Sequence, residues 1–417
     1  HRKVIRASQA EGVVRIAYLL TQDLESPSGL GRYLPLALQM ARRGHQVRIA
    51  ALHPDIHALS SRNQSVDGIE VKYVAPMHVR KQGNTKVYYH PVQLIALTLR
   101  AAWGLSLDAC SSKAQILHVG KPHPMNSVAG LLGSFRPATH LCVDCDDYEA
   151  GSMHFTGAWQ RALITYFEKR VPKLARLVSV NTQFMRQKLC DWGIPPHKII
   201  YLPNGVDRER FQPPNAERLE LLRRELGLEG KQVVAYIGSL SLPSHPLELL
   251  LHAFTKVHEE RPDTILLIVG GGADYQTLVE MAAKAGLGSS VVFTGRVAPQ
   301  DVVLYYHLAD VSVDPVYADD AARGRSPLKL FESWATGVPF ITSRVGDRID
   351  LLETSQAGVL TSASTPEAYA QAILSVLASV SLRQNLRARG LMEVQNFTWE
   401  HLVIELEQAY LRVLDGK

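Results

Sequence analysis

Cysteine is scarce: four in 417 residues, too few for a disulfide framework at this length, which fits a reducing compartment. Cys142 and Cys145 stand as a CxxC with His140 just before them, but a zinc site needs a fourth ligand and usually a second paired knuckle, and the sequence offers neither. The pair reads as the end of a buried strand. Long Lys/Arg blocks are also missing. The formal charge of +5 is spread over both halves without interleaved aromatics, which argues against a nucleic-acid partner. A mildly basic surface suits anionic donors, or peripheral contact with anionic lipid. No apolar run reaches membrane-spanning length. Residues His1 to Glu11 are polar and lack the apolar core of a signal peptide, so 1–12 reads as a flexible tail. The expected location is the cytoplasm, at most at the inner face of the membrane.

What is present is a globular composition, 46% hydrophobic and 20% charged, in a chain long enough for two domains. Short apolar runs alternate with helical patterns. Val13 to Leu20 reads as a strand, Gly31 to Arg43 as a helix ended by Gly44, and Gln46 to Ala51 as the next strand, a βαβ opening. The alternation continues to Ile199–Leu202 and restarts at Val233–Ile237 after a turn-rich stretch, Pro203-Asn204-Gly205-Val206-Asp207 and Pro213-Pro214-Asn215. The expected fold class is therefore α/β: two Rossmann-like doubly wound domains, at 13–203 and 217–395, joined by a linker at 204–216. Open parallel sheets bind ligands at the carboxyl ends of their strands, so the ligand cleft is expected between the domains.

Two stretches carry chemistry. Ser28-Gly29-Leu30-Gly31-Arg32 follows the first strand and opens a helix, where glycine permits close backbone approach and free N–H groups face an anion. An ordinary strand-to-helix turn looks the same. Arg323-Gly324-Arg325-Ser326-Pro327-Leu328-Lys329-Leu330-Phe331-Glu332 is richer: Ser326 reads as an N-cap, Pro327 as the first helical residue, and three cations flank the helix start. A diphosphate fits there. Glu332, six residues after the cap, could accept bonds from two ribose hydroxyls; alternatively the cations are a solvated loop and Glu332 an ordinary helix residue.

Taken together with Ser333 to Pro339, that stretch resembles the donor-binding signature of retaining GT-B glycosyltransferases, of the family 4 or group 1 type. Further matches fall in the family's order: Arg15 to Tyr18 with Gly29 and Gly31, Arg43 to Val47, Pro203 to Asp207 with Phe211, Tyr236 to Leu240, Val269 to Gly272, Phe293 to Val297, and Gly346 with Asp350. The resemblance spans roughly residues 13 to 412, and the ordered series is specific where each piece is not. It implies a GT-B fold, with an acceptor-binding domain at 13–203, a nucleotide-sugar-binding domain at 217–395, and a helix within 396–417 crossing back to the first domain. It implies that Glu332 holds the donor ribose, that the backbone of Gly295, Arg296 and Val297 reads the base, and that Ser326, Leu328 and Lys329 meet the diphosphate. Gly29 and Gly31 would close on the donor phosphates. The implied reaction moves a hexosyl group from a UDP, GDP or dTDP sugar to a hydroxyl of a glycan, lipid-linked or small-molecule acceptor, with retention and with no cofactor or metal, because protein cations and helix ends neutralise the diphosphate.

The sequence departs from the family at three places. A sugar-gripping glutamate often stands eight positions before the ribose-binding one, where this chain has Gly324. The family's Gly-Arg-Leu and Lys-Gly cations are replaced by Gly238-Ser239-Leu240 and by Ser244-His245. Arg325 or Lys329, with His245, is expected to supply the missing charge. The resemblance also implies a histidine near the transferred sugar just after Ile116–Val119: His123 is favoured over His118 because it lies beyond the strand end, although the exact equivalent position could be Gly120. Asp147, with Asp144 as the alternative, is a candidate to hold acceptor hydroxyls or act as a base, against a solvated acidic loop. These departures keep a second reading open, a degenerate GT-B fold acting as a nucleotide-sugar-binding or scaffolding subunit. A nucleotide-sugar epimerase is disfavoured because its signatures are absent.

Overall fold

A computed structural model describes residues 12–82, 85–152, 155 and 157–416; apart from Gly12, the expected tail lies outside them. The first sheet is built from β1 (Arg15–Leu20), β2 (Gln46–His53), β3 (Asn63–Val66), β4 (Ile69–Pro76), β7 (Ile116–Gly120), β8 (His140–Cys145), β9 (Leu177–Val180) and β10 (Ile199–Tyr201), with β5 (Val79–Gln82) and β6 (Thr85–Tyr88) forming a separate hairpin. Its spatial order is β10-β9-β8-β7-β1-β2-β4-β3, parallel throughout except the β3–β4 pair. The second sheet has β11 (Gln232–Ile237), β12 (Thr264–Val269), β13 (Val291–Gly295), β14 (Val311–Asp314), β15 (Phe340–Ser343) and β16 (Val359–Thr361) in the order β13-β12-β11-β14-β15-β16, all parallel.

The strands are apolar runs because helices cover both faces of each sheet. In β1, Ile16, Tyr18 and Leu20 point to one core and Ala17 and Leu19 to the other; in β11, Val234 and Tyr236 separate from Val233, Ala235 and Ile237 in the same way, as the period of two requires. The order in which strands are added switches sides beside β1 in the first sheet and beside β11 in the second, so the loops after β1, β7, β11 and β14 open at the two switch points.

The halves are joined twice. Val206 on the outward crossing and Thr398 on the return form a parallel bridge, with Val206 N–H donated to Phe397 O at 2.8 Å. Helix Trp399–Leu414 then packs against helix Leu34–Arg42, burying Trp399, Leu406 and Tyr410 in a first-sheet core. Thr398 starts it by accepting the His401 N–H.

Several local expectations are corrected. The helix expected at Gly31–Arg43 begins as a π turn at Gly29–Tyr33 and is α-helical only from Leu34 to Arg42. Ser326 is not the N-cap: helix Leu328–Thr336 is capped at Pro327 without a side-chain bond, and Ser326 Oγ instead accepts the Asn204 N–H from the other half at 3.2 Å. Helix Pro91–Ser111 has 21 residues, and it is the one described helix long and apolar enough to span a membrane by length and composition alone. Thr98, Arg100, Gly104 and Ser106 interrupt its apolar run and hid it from the sequence reading. Cys142 and Cys145 are buried in β8, and among the described residues no group of His, Cys, Asp or Glu could hold a metal ion.

Candidate active site

The carboxyl edge of the second sheet gathers charge at its switch point. Asp314 ends β14 and sits between two cations, Lys329 Nζ at 3.0 Å and Arg348 Nη2 at 2.9 Å. Burial alone would raise its pKa, and Lys329 and Arg348 override that to hold it well below the carboxylate range. Burial pulls Lys329 down despite Asp314. Arg325 joins from the loop before the helix, donating to Ser244 O at 3.0 Å. His245 is driven well below its usual pKa by burial and then by Lys329 and Arg325, and its buried Nδ1 has no hydrogen-bond partner among the described residues. Arg348 Nε is likewise buried and unpartnered. Lys329 and Arg348 pair with one carboxylate and Arg325 lies close enough to act on Lys329, so the cluster carries a net charge of about +2. Unused buried donors beside an excess of positive charge suit an oxyanion ligand.

The same helix carries Glu332 one turn further on. Tyr306 OH donates to Glu332 Oε2 at 2.9 Å, and burial raises the carboxyl's pKa. Arg210, on the outward crossing, adds positive charge near it and donates to Pro299 O at 2.8 Å, just beyond Gly295-Arg296-Val297. Gly238 follows β11. A Cβ there would lie 2.6 Å from Lys329 Cε, so only glycine lets Lys329 lie against this loop. Gly270 N–H donates to Gly295 O at 3.0 Å, tying the loop after β12 to that after β13.

Across the crevice, Gly31 approaches Leu328: a Cβ on it would stand 3.4 Å from Leu328 Cδ2. Leu30, Gly31, Arg210, Leu328, Glu332 and Trp399 line one pocket of about 100 Å³. A larger cavity of about 240 Å³ lies around Asp347, Asp350 and Glu393, but its acidic lining would repel a diphosphate, so size does not select the site. The amino-terminal wall is a buried ionic network. Arg32 forms a two-pronged pair with Asp144, both bonds 2.7 Å, and also donates to Asn204 Oδ1 at 3.1 Å. Lys121 Nζ reaches Asp147 and Glu149, each at 2.7 Å. His123 Nδ1 lies 2.7 Å from Thr21 Oγ1 and Nε2 lies 3.2 Å from Glu149 Oε2, which engages both ring nitrogens. Asp146 is raised to about 7 by burial and the neighbouring Asp147. His118 lies elsewhere, its Nδ1 2.6 Å from Tyr410 OH under the carboxyl-terminal helix.

The model of glycosyltransferase family 4 matches residues 28–210, and that of the group 1 glycosyl transferases matches 231–379. The chain is a GT-B-fold protein related to both families. Sucrose-phosphate synthase from Thermosynechococcus elongatus shares the fold with a TM-score of 0.74, at 18% identity, over 97% of this chain and 100% of that one. A GDP-mannose-dependent alpha-(1-6)-phosphatidylinositol monomannoside mannosyltransferase of Mycolicibacterium smegmatis is 28% identical over 212 residues, 50% of this chain and 55% of that protein. A D-inositol 3-phosphate glycosyltransferase of Corynebacterium glutamicum is 26% identical over 251 residues, 58% of this chain and 59% of that protein. The chain spans about half the length of the curated relatives it matches.

Within this GT-B chain the expected site residues fall into two groups. Arg325, Lys329, His245, Gly238 and Ser239 gather at one end of the second sheet: Lys329 pairs with Asp314 and lies against Gly238, Arg325 and Lys329 depress the His245 pKa, and Tyr236 OH donates to Ser239 O at 2.8 Å. His123 and Asp147 meet through Lys121 and Glu149 on the opposite wall. Arg296 is exposed at the edge of the second sheet. The acidic run expected to be a solvated loop or an acceptor site is largely interior: Asp144, Asp146 and Glu149 are buried, and only Asp147 is partly open. Sequence reasoning missed Asp314, Arg348, Arg32 and Tyr306. Asp314 could have been found as an acid ending an apolar strand; Arg348 and Tyr306 carry no local signal, because partners 34 and 26 residues away give them their roles. Gly324 has a physical reason: a Cβ there would stand 2.8 Å from Tyr148 Cβ of the other half.

Proposed function

We propose that the chain is a retaining, metal-independent glycosyltransferase that moves a hexosyl group from a UDP, GDP or dTDP sugar to a hydroxyl of a glycan, lipid-linked or small-molecule acceptor on the cytoplasmic side. One observation carries this reading: Leu30 and Gly31 share a crevice with Leu328 and Glu332, so the glycine loop and the cationic helix start can grip one ligand from both sides. In this assignment Glu332 accepts the ribose hydroxyls, oriented by Tyr306. The backbone of Gly295, Arg296 and Val297 lies against the base, and Gly29, Gly31, Ser326 and Leu328 bound the diphosphate. Arg325 and Lys329, with Arg348 behind Asp314, stabilise charge as the diphosphate leaves, and His245, neutral through its depressed pKa, offers a donor rather than a further cation. His123, held between Thr21 and Glu149, is assigned to the wall beside the transferred sugar, and Asp147 to holding the acceptor hydroxyl or taking its proton. Departure and attack on one face of the sugar retain its configuration.

A nucleotide sugar needs several hundred Å³, so a crevice of about 100 Å³ requires the halves to part for entry. The paired crossings at Val206 and Thr398 are where the chain can bend. The test is incubation with UDP-, GDP- and dTDP-sugars while following melting temperature and nucleoside diphosphate release. Stabilisation by one nucleotide, with release quickened by an acceptor, is expected. Gly324, packed on Tyr148 where the family often has a glutamate, favours one other reading, a nucleotide-sugar-binding or scaffolding subunit; binding of the nucleotide sugar with no release under any condition would establish it. Absence of any nucleotide response would remove the transferase assignment.

A further inference from the structure

Eleven of the 18 large hydrophobic residues exposed among those described lie on or directly beside three helices of the first half: Pro91–Ser111, Pro124–Gly133 and Ala158–Leu174. The three contact one another in sequence and cover the same face of the first sheet, opposite to the carboxyl-terminal helix. On the first of them, Val92, Ile95, Leu99 and Trp103 recur at three- and four-residue spacing on the side away from buried Ala101, Leu105 and Ala109. That makes a solvent-facing apolar stripe on a helix that is packed into its core only from Ala101 onward. Leu99 is 67% and Trp103 69% exposed, and Phe135, beyond the second helix, is 82% exposed. Trp159 and Tyr166 extend the surface on the third. So much apolar area gathered on one side of a folded chain marks an interaction surface.

Its charge identifies the partner. Arg100, Arg161, Lys169, Arg170 and Lys173 are exposed on these helices. Their two carboxylates, Asp108 and Glu168, are both buried. Asp108 is paired with Arg48 at 2.7 Å, and Glu168 accepts the N–H groups of Glu149 and Ala150. The face therefore presents apolar side chains and cations and no exposed acid. A second copy of the same face would meet five like charges with none to oppose them, which disfavours self-association. We propose that this three-helix face docks on an anionic lipid surface, the apolar stripe entering the headgroup boundary and the cations resting on lipid phosphates. The proposal does not depend on the reaction assigned to the cleft, because none of these residues belongs to it.

The test is co-sedimentation of the full chain with vesicles of phosphatidylcholine alone and with vesicles containing phosphatidylglycerol. The wild type is expected to pellet with the anionic vesicles at least about tenfold more strongly, and less as salt rises. The pair Leu99→Glu and Trp103→Glu should abolish pelleting with both. The pair Arg161→Glu and Arg170→Glu should weaken binding to the anionic vesicles by roughly thirtyfold or more while leaving binding to phosphatidylcholine unchanged. All four side chains are exposed, so far-ultraviolet circular dichroism and melting temperature should be unchanged; if one pair fails to fold, the other and the salt series still decide. The proposal is overturned if the wild type stays in the supernatant with anionic vesicles or if neither pair weakens binding. A concentration-dependent dimer that Leu99→Glu and Trp103→Glu dissolve would give the face to a second copy and overturn it equally.

Discussion

Replacing Lys329 by Met tests whether the cations around Asp314 stabilise a departing diphosphate. Lys329 Nζ and Arg348 Nη2 flank Asp314 at 3.0 and 2.9 Å. With Arg325 the group sums to +2, and Lys329→Met lowers it to +1. Asp314 keeps Arg348, so the fold should survive with the loss of one charged hydrogen bond, about 1.5–3 kcal/mol. A cation about 4 Å from a developing charge contributes ~4 kcal/mol at an effective dielectric near 20. At 1.36 kcal/mol per decade this is on the order of a thousandfold in rate, in line with the loss of one oxyanion-hole donor. The assay is single-turnover release of nucleoside diphosphate, with nucleotide affinity measured by calorimetry on the same preparation. The rate should fall by about two to three decades while the ground-state affinity falls by one or less. A variant within about threefold of wild type in rate would refute the assignment. The wild-type rate should also decline at alkaline pH: burial sets the Lys329 pKa below its ordinary value, and its charge is lost as pH rises through it.

Glu332→Gln removes a carboxylate held by Tyr306 OH at 2.9 Å and should weaken nucleotide affinity about tenfold to a hundredfold, read by calorimetry; Tyr306→Phe should cost less, since it only orients Glu332. Arg32→Met strands Asp144, which is fully buried and bonded to Arg32 at 2.7 Å twice, so a loss of about 3–5 kcal/mol is expected, checked by urea unfolding. Glu168 is raised to about 8 by burial and by Glu149. The folded state therefore holds a proton that the unfolded state releases near pH 4.3, and the stability from this group, present at low pH, is lost as pH rises through about 8. Melting temperatures of wild type should fall across that window, and Glu168→Gln should flatten the decline.

The fold was legible because both sheets are covered on both faces, which forces short, wholly apolar strands that stand out from the helices between them. β3 was missed for the opposite reason: Asn63–Val66 is polar and half open at a sheet edge. The anion-binding segment was legible because glycines, cations and a carboxylate cluster within ten residues from Arg323 to Glu332. Its true geometry was not, since Ser326 is drawn off its expected capping role by Asn204 from the other half.

The sequence by itself determined two series of parallel strands, the turn-rich seam between them, and the chemistry of the helix that carries Glu332, because strand period, capping and local charge are short-range properties. Tertiary structure alone decided which distant groups share an environment: that Asp314 would stand between Lys329 and Arg348, that Tyr148 would leave no room at position 324, and that helix Pro91–Ser111 would turn its apolar stripe to solvent. These outcomes depend on burial and on partners far away in the chain, and no window of sequence contains both sides of such a contact.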